Sequence, residues 1–203
     1  MAQEKKFIDS AKKRMQIEEF LSAEFARAGY SHSEIQRTPL AIRIIVYAHK
    51  PGLIIGRGGK NIDIITQFLK DRFGLENPQL DVQEVRDPDL DPSIVGKQIA
   101  AAIERGINYK RVANLAIQRV MEAGAVGVAI RISGKLGGDM SRTEKFSSGY
   151  MIYSGDPAET MVKKAYSRAQ VKLGTIGIQV RIMIESPEEL EILGKIQKPA
   201  EVL

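Results

Sequence analysis

The sequence predicts an α+β protein of two domains, and three observations carry that prediction. Apolar and polar residues alternate cleanly over Val126–Ser133 and Ile176–Glu185, the period-2 signature of half-buried strands. Other stretches repeat apolar residues every three or four positions, as amphipathic helices do: Ile62, Ile65, Leu69 and Phe73, then Val112, Ala113, Ala116, Ile117 and Val120. Between the two sets lies Asp87-Pro88-Asp89-Leu90-Asp91-Pro92, whose prolines and acids read as a linker. The expected division is a first domain at 1–90, a second at 91–186, and an extended or disordered tail at 187–203.

In chain order, 4–28 reads as a helix with Ile17, Phe20, Leu21, Phe25 and Ala28 on one face, ended by Gly29. Lys5, Lys6, Lys12, Lys13 and Arg14 crowd its start, either as an RNA contact or as a solvated helix end. Ser31–Thr38 reads as a short strand. Leu40–Ala48 is apolar on both faces, which fits a central strand. A glycine-rich loop, the 62–73 helix closed by Gly74 and a strand at Gln79–Arg86 complete the first domain.

In the second domain Ser93 is placed to cap a helix through Ile99, Ala102 and Ile103, broken around Arg105–Asn108. At 100° per residue the next helix buries Val112, Ala113, Ala116, Ile117 and Val120, and it presents Lys110 and Arg111 at its exposed start as a candidate RNA contact. A strand over 126–133 leads into a long loop, Gly134 to Lys145, that carries Lys135, Arg142 and Lys145. Strand signals resume through Phe146, Tyr150 and Ile152. Asp156-Pro157-Ala158-Glu159 reads as the start of a helix whose inner face is Val162, Ala165 and Ala169. The last strand, 176–185, completes a mainly antiparallel sheet with helices on one face.

The loop carries the functional reading. Ile54-Ile55-Gly56-Arg57-Gly58-Gly59-Lys60-Asn61-Ile62 places Gly56 and Gly59 around a variable pair, and glycine lets a backbone turn sharply and come close to a phosphodiester. Arg57 and Lys60 add positive charge there, and the N-terminus of the following helix favours an anion. A dinucleotide site fails because Lys50–Ile55 separate the loop from the strand and the first glycines are wrongly spaced. A Walker A loop fails because Gly52 to Gly58 is one residue too long and Asn61 follows the lysine. The linker mimics the opening of an EF-hand, but Pro92 stands where glycine is needed and Gln98 where glutamate is needed.

The 203 residues carry 30 Lys and Arg against 25 Asp and Glu, a net charge of +5 that tilts the chain toward a polyanionic partner. With 43% hydrophobic and 27% charged residues the composition is that of a globular protein. It has no cysteine, so disulfides and thiolate metal sites are excluded, and its two histidines, His32 and His49, are too few for a histidine metal cluster. No apolar run approaches a membrane span and 1–7 is charged, so neither membrane nor signal peptide is expected and the cytoplasm is. No nucleophile, base and orienting group assemble into a catalytic set, so no enzyme, cofactor or metal is expected. A Schiff-base role for Lys135 has no sequence support for the desolvation it needs.

The 54–62 run resembles the signature of a KH domain, in which the loop joins two helices and grips about four nucleotides of single-stranded nucleic acid. Together with Ser133-Gly134-Lys135-Leu136-Gly137-Gly138, Ser154-Gly155-Asp156-Pro157 and Gly174-Thr175-Ile176-Gly177-Ile178, it makes the chain, from about Lys6 to Glu185, similar to the archaeal form of a universal small-subunit ribosomal protein family. The resemblance implies an N-terminal type II KH domain and a C-terminal α/β domain. It implies residence in the head of the small subunit, with small-subunit rRNA, mRNA and neighbouring ribosomal proteins as partners rather than a second copy of the chain. In bacterial relatives, basic residues on the first turns of a second-domain helix line the path by which mRNA enters and help unwind it. Lys110 and Arg111 match two of these, while Asn114 stands where a third basic residue is expected. The RNA-binding set is thus Gly56, Arg57, Gly58, Gly59, Lys60, Lys110, Arg111, Lys135, Arg142 and Lys145. A free-standing KH regulator is the alternative, against which the second domain and its hairpin loop argue.

Overall fold

A computed structural model of the chain describes residues 2–37, 41–75 and 77–184. The chain divides into two compact units, Met1–Arg86 and Asp87–Leu203.

The first unit opens with α1 (Ala2–Glu24), which tightens into a 3-10 turn at Phe25–Ala28 and stops at Gly29, φ 72°. Ile17, Leu21 and Phe25 recur every four residues and are all buried, so one stripe of α1 faces the core. Lys12, Lys13 and Arg14 lie on the exposed side, and Arg14 pairs with Glu18 one turn on at 3.0 Å, which fits a solvated helix face. Nothing is described of the side chains of Lys5 and Lys6.

Strands β1 (Tyr30–Arg37), β2 (Ile42–Ala48) and β3 (Pro78–Glu84) form a sheet in that order, so β2 is central, as its two apolar faces require. β1 and β2 are antiparallel, whereas β2 and β3 are parallel. A parallel pair cannot be closed by a tight turn and needs a crossover. Here the crossover is α2 (Pro51–Ile55), the glycine loop and α3 (Lys60–Phe73), so the loop sits at the apex of a helical hairpin. Ile54 on α2 and Ile65, Leu69 and Phe73 on α3 join Ile44 and Val46 of β2 in one core. Leu21, Ile54 and Leu69 are almost wholly withdrawn from water, a gain of roughly 1.5–3 kcal/mol for each side chain.

The second unit begins with a 3-10 turn at Pro88–Leu90, followed by α4 (Pro92–Glu104) and α5 (Tyr109–Glu122). The cap of α4 is Asp91 rather than the expected Ser93: its carboxylate accepts from the Ser93 N–H at 2.8 Å. Pro92 accounts for the difference, because proline is preorganised for the first helical position and leaves the cap to the residue before it. Gly106 and Asn108 make the expected break, and the Asn108 side chain accepts from the Lys110 N–H at 2.9 Å.

Four strands follow, β4 (Gly127–Gly134), β5 (Arg142–Gly149), β6 (Val162–Val171) and β7 (Gly174–Met183), in the fully antiparallel order β5-β4-β7-β6. α4 packs on β6 and β7 while α5 packs on β4 and β5, which puts both helices on one face. Val128, Ile130, Ile132, Ile178, Val180 and Ile182 point into the core they share with Ile99 and Val120. A Cβ on Gly96 of α4 would stand 2.7 Å from Ser167 Oγ on β6, so the glycine permits that close approach.

Two further expectations are corrected. The helix from Asp156 onward is only one turn, α6 (Pro157–Thr160), and 162–171 is a strand. Val162, Ala165 and Ala169 are all buried as expected, but only Ala165 and Ala169 by pleating toward the helices, opposite Val180 and Ile176 of β7, whereas Val162, opposite Met183, falls on the alternate set of strand positions. Their spacing of 3 and 4 mimics a helical stripe because Val162 is buried from the other side of the strand and because the inward position between Ala165 and Ala169 is the polar Ser167; the open edge of β7 decides in favour of a strand. The long loop is also shorter than expected. β5 already starts at Arg142 and ends at Gly149, so Arg142 and Lys145 are strand residues, the loop proper is 135–141, and Tyr150 and Ile152 follow the strand. Its inward series, Glu144, Phe146 and Ser148, has two polar members and so lacks the apolar alternation that marks a strand. The tail predicted at 187–203, and Thr38 and Leu40, lie outside the described residues.

Candidate nucleic-acid interface

Three left-handed glycines build the loop: Gly56 (φ 71°), Gly58 (φ 64°) and Gly59 (φ 80°). Residues with a Cβ reach this region only at a cost, and the ψ of −177° at Gly56 is essentially closed to them. At Gly56 sterics add to strain, since a Cβ there would fall 2.7 Å from the Asn61 side chain. The buried Ile54 anchors the loop on one side and Ile65 on the other.

Arg57 and Lys60 are exposed on this frame, and no side chain caps the first turn of α3. Free N–H groups, the positive end of the helix and two cations therefore meet at one place, an arrangement that accepts a phosphate. Leu53, Ile55 and Ile64, close to the loop in sequence, are exposed at 55%, 39% and 66%. Sequence reading missed this apolar surface; its one signal was that Ile64 falls outside the Ile62, Ile65, Leu69, Phe73 series.

The second cluster joins the start of α5 to the start of β5. The Tyr109 hydroxyl donates to Glu144 Oε1 at 2.9 Å. Lys110 Nζ lies 4.0 Å from Glu144 Oε2, and Arg142 Nη1 lies 3.7 Å from Oε1. Tyr109 also meets Phe146 edge-on at 6.5 Å. Lys110 and Arg142 are thus held together by a carboxylate that sequence reasoning did not single out. Partial withdrawal of Tyr109 from water raises the pKa of its phenol. The bond to Glu144 and the charge of that carboxylate raise it further, against the opposing charges of Lys110 and Arg142.

Arg111 and Lys135 are exposed, on α5 and in the 135–141 loop, and Asn114 is exposed one turn beyond Lys110. Leu136, Gly137, Gly138, Asp139 and Met140 line a shallow cleft with Tyr109 and Arg142. Lys145 is not brought into this cluster: it pairs with Arg131 of β4 on the alternate set of strand positions, opposite in facing to Glu144. Among the described residues no three His, Cys, Asp or Glu side chains gather to hold a metal ion. No helix among them is long and apolar enough to cross a membrane.

Comparison with known proteins matches residues 16–90 to the KH domain and residues 99–182 to the C-terminal domain of ribosomal protein S3. The chain is 45% identical over 202 residues to small ribosomal subunit protein uS3 of Methanococcus maripaludis (strain C5), covering 98% of this chain and 96% of that one. The protein of the same name from Methanocaldococcus jannaschii is 46% identical over 93% of this chain and 92% of its own. That of Halobacterium salinarum is 47% identical over 95% of this chain and 65% of its own. With such identity over nearly its whole length, and with both family domains in order, the chain belongs to the ribosomal protein S3 family in its archaeal form.

Proposed function

We propose that the protein is a structural constituent of the small ribosomal subunit, working in the cytoplasm on the ribosome, which binds small-subunit rRNA in the subunit head and touches mRNA where it enters. The observation that supports this best is the Gly56–Lys60 loop. Three positive-φ glycines open the backbone, and exposed Arg57 and Lys60 flank the free end of α3. In a chain of this family that loop is an RNA clamp.

The Lys110, Arg111 and Arg142 cluster, with Lys135 in the neighbouring loop, supplies the contact to mRNA. Asn114 in place of a third basic residue leaves that contact with less charge for parting paired strands. The roles of Gly56, Arg57, Gly58, Gly59, Lys60, Lys110, Arg111, Lys135, Arg142 and Lys145 are binding roles rather than catalytic ones. The partners are rRNA, mRNA and the adjoining ribosomal proteins, with one copy of the chain in each subunit.

The test is assembly. Tagged protein expressed in an archaeal host should sediment with small subunits, and RNA crosslinks should map to Lys60, Lys110 and Lys135. Protein that stays at the top of the gradient and fails to bind small-subunit rRNA would refute the proposal.

A further inference from the structure

The face of the second unit's sheet that points away from α4 and α5 is charged with one sign. Register places Lys145, Arg131, Gln179 and Tyr166 side by side across β5, β4, β7 and β6, a row about 14 Å long at the usual strand spacing. The next row toward the Met183 end carries Arg181 beside Lys164, and the row on the other side carries Arg168. No Asp or Glu stands among the described strand residues of this face. Arg131 and Lys145 are directly opposite each other, a like-charge pair that weakens a sheet rather than supporting it.

Two tyrosines stand among these cations with their rings in water, Tyr166 at 75% exposure and Tyr153 at 61%. They are held from behind. The Gln179 amide, oriented so that every donor facing its oxygen is satisfied, accepts from the Tyr166 hydroxyl at 2.9 Å and from Arg181 at 3.1 and 3.2 Å. Arg181 in turn lies 5.8 Å from the centre of the Tyr153 ring. Tyrosine rings fixed at one edge and open on a face are stacking platforms, and the surrounding lysines and arginines match a phosphate backbone.

We infer that this face binds a second, unpaired segment of RNA, with bases stacked on Tyr166 and Tyr153 and phosphates held by Lys145, Arg131, Lys164 and Arg168. The inference rests on the reading of the protein as an RNA-binding constituent of the small subunit. It adds a surface distinct from the Glu144 cluster of the same unit, because Lys145 and Glu144 alternate to opposite sides of β5, and made of other residues than the glycine loop of the first unit. Paired RNA is a poorer match, since bases in a duplex cannot be splayed onto a ring.

The experiment uses the full chain with two probes at one salt concentration, a labelled single-stranded oligouridylate and a blunt RNA duplex of equal length. Both are measured on an Arg57→Asp/Lys60→Asp background, so that the loop does not mask the sheet. Tyr166→Ala should weaken oligouridylate binding about tenfold and leave the duplex unchanged. Tyr166→Phe, which keeps the ring, should retain most of the affinity, and ultraviolet crosslinks of oligouridylate should map to Tyr166 or Tyr153.

Equal losses on both probes, an unchanged affinity in Tyr166→Ala, or crosslinks from this face to another protein chain in assembled subunits would overturn the inference. If loop reversal alone abolishes all oligouridylate binding, the sheet face binds nothing by itself and the inference falls while the loop reading stands. If loop reversal has no effect and Tyr166→Ala does, the loop reading falls and the sheet face stands.

Discussion

The Tyr109 hydroxyl donates to Glu144 Oε1 at 2.9 Å, tying the first turn of α5 to the beginning of β5 across 35 residues of chain. The same carboxylate faces Lys110 and Arg142, so it holds the two cations in place and also offsets part of their charge. Glu144→Gln separates the two effects, since the amide still accepts from Tyr109 but carries no charge. Exposed ion pairs are worth about 0.2–1 kcal/mol. Affinity for small-subunit rRNA fragments at low salt should therefore rise by at most about fivefold in Glu144→Gln. A filter-binding titration showing weaker binding would mean that the ion pairs matter for positioning more than the charge does for repulsion.

Withdrawal of Tyr109 from water, with its contact to Glu144, makes the second unit's stability sensitive to alkaline pH. The folded pKa of Tyr109 is raised above its unfolded value, near 10. The protonated phenol is the form the fold prefers, so its contribution is complete below pH 10 and is lost as pH rises through the folded pKa. In the first unit Tyr30 behaves alike, raised by burial, with its hydroxyl donating to Ser33 Oγ at 3.0 Å. Ultraviolet titration of the phenolates should show late-ionising tyrosines, and Tyr109→Phe and Tyr30→Phe should each remove one. Thermal melts should lose stability above pH 10 less steeply in Tyr109→Phe than in the parent. Identical pH profiles would show that Tyr109 titrates as it does in the unfolded chain.

The parts of this structure that were legible in the sequence are those where residue type itself encodes the conformation. Ile176, Ile178, Val180 and Ile182 alternate without a polar interruption, and all four are buried in β7. Gly56, Gly58 and Gly59 announce a backbone that only glycine adopts readily, and all three have positive φ. By contrast β5 and β6 place Glu144, Ser148 and Ser167 at inward positions, so their period-2 pattern is broken by polar residues that only pairing with β4 and β7 makes tolerable. The role of Glu144 depends on α5 lying over β5, a long-range contact that no local pattern records. The outer-face row failed to show for the same reason: Lys145, Arg131 and Gln179 are neighbours only by register.

Backbone conformation can be tested by two alanine substitutions four residues apart. Gly56 combines φ 71° and ψ −177° with an Asn61 side chain 2.7 Å from where a Cβ would go. Gly56→Ala should cost about 1–3 kcal/mol in denaturant unfolding and should also impair RNA binding. Gly52 lies within α2, is exposed, and has nothing within 4 Å of where its Cβ would stand. Gly52→Ala should be neutral or stabilising by up to about 1 kcal/mol. The opposite order of the two effects would refute the geometry assigned to the loop.

Charge at the loop is the last quantity to test. Arg57 and Lys60 are exposed, and neither forms an ion pair among the described residues, so their side chains support the fold little. Arg57→Asp/Lys60→Asp should leave the melting curve nearly unchanged. If both cations engage phosphates of single-stranded RNA, removing them should lower the slope of log affinity against log salt by about 1.4. Binding should fall most at low salt, where counterion release is strongest, and the parent and variant curves should converge as salt rises. Parallel curves, displaced but with equal slopes, would mean that the loop contributes through its backbone N–H groups and the end of α3 rather than through the two side chains.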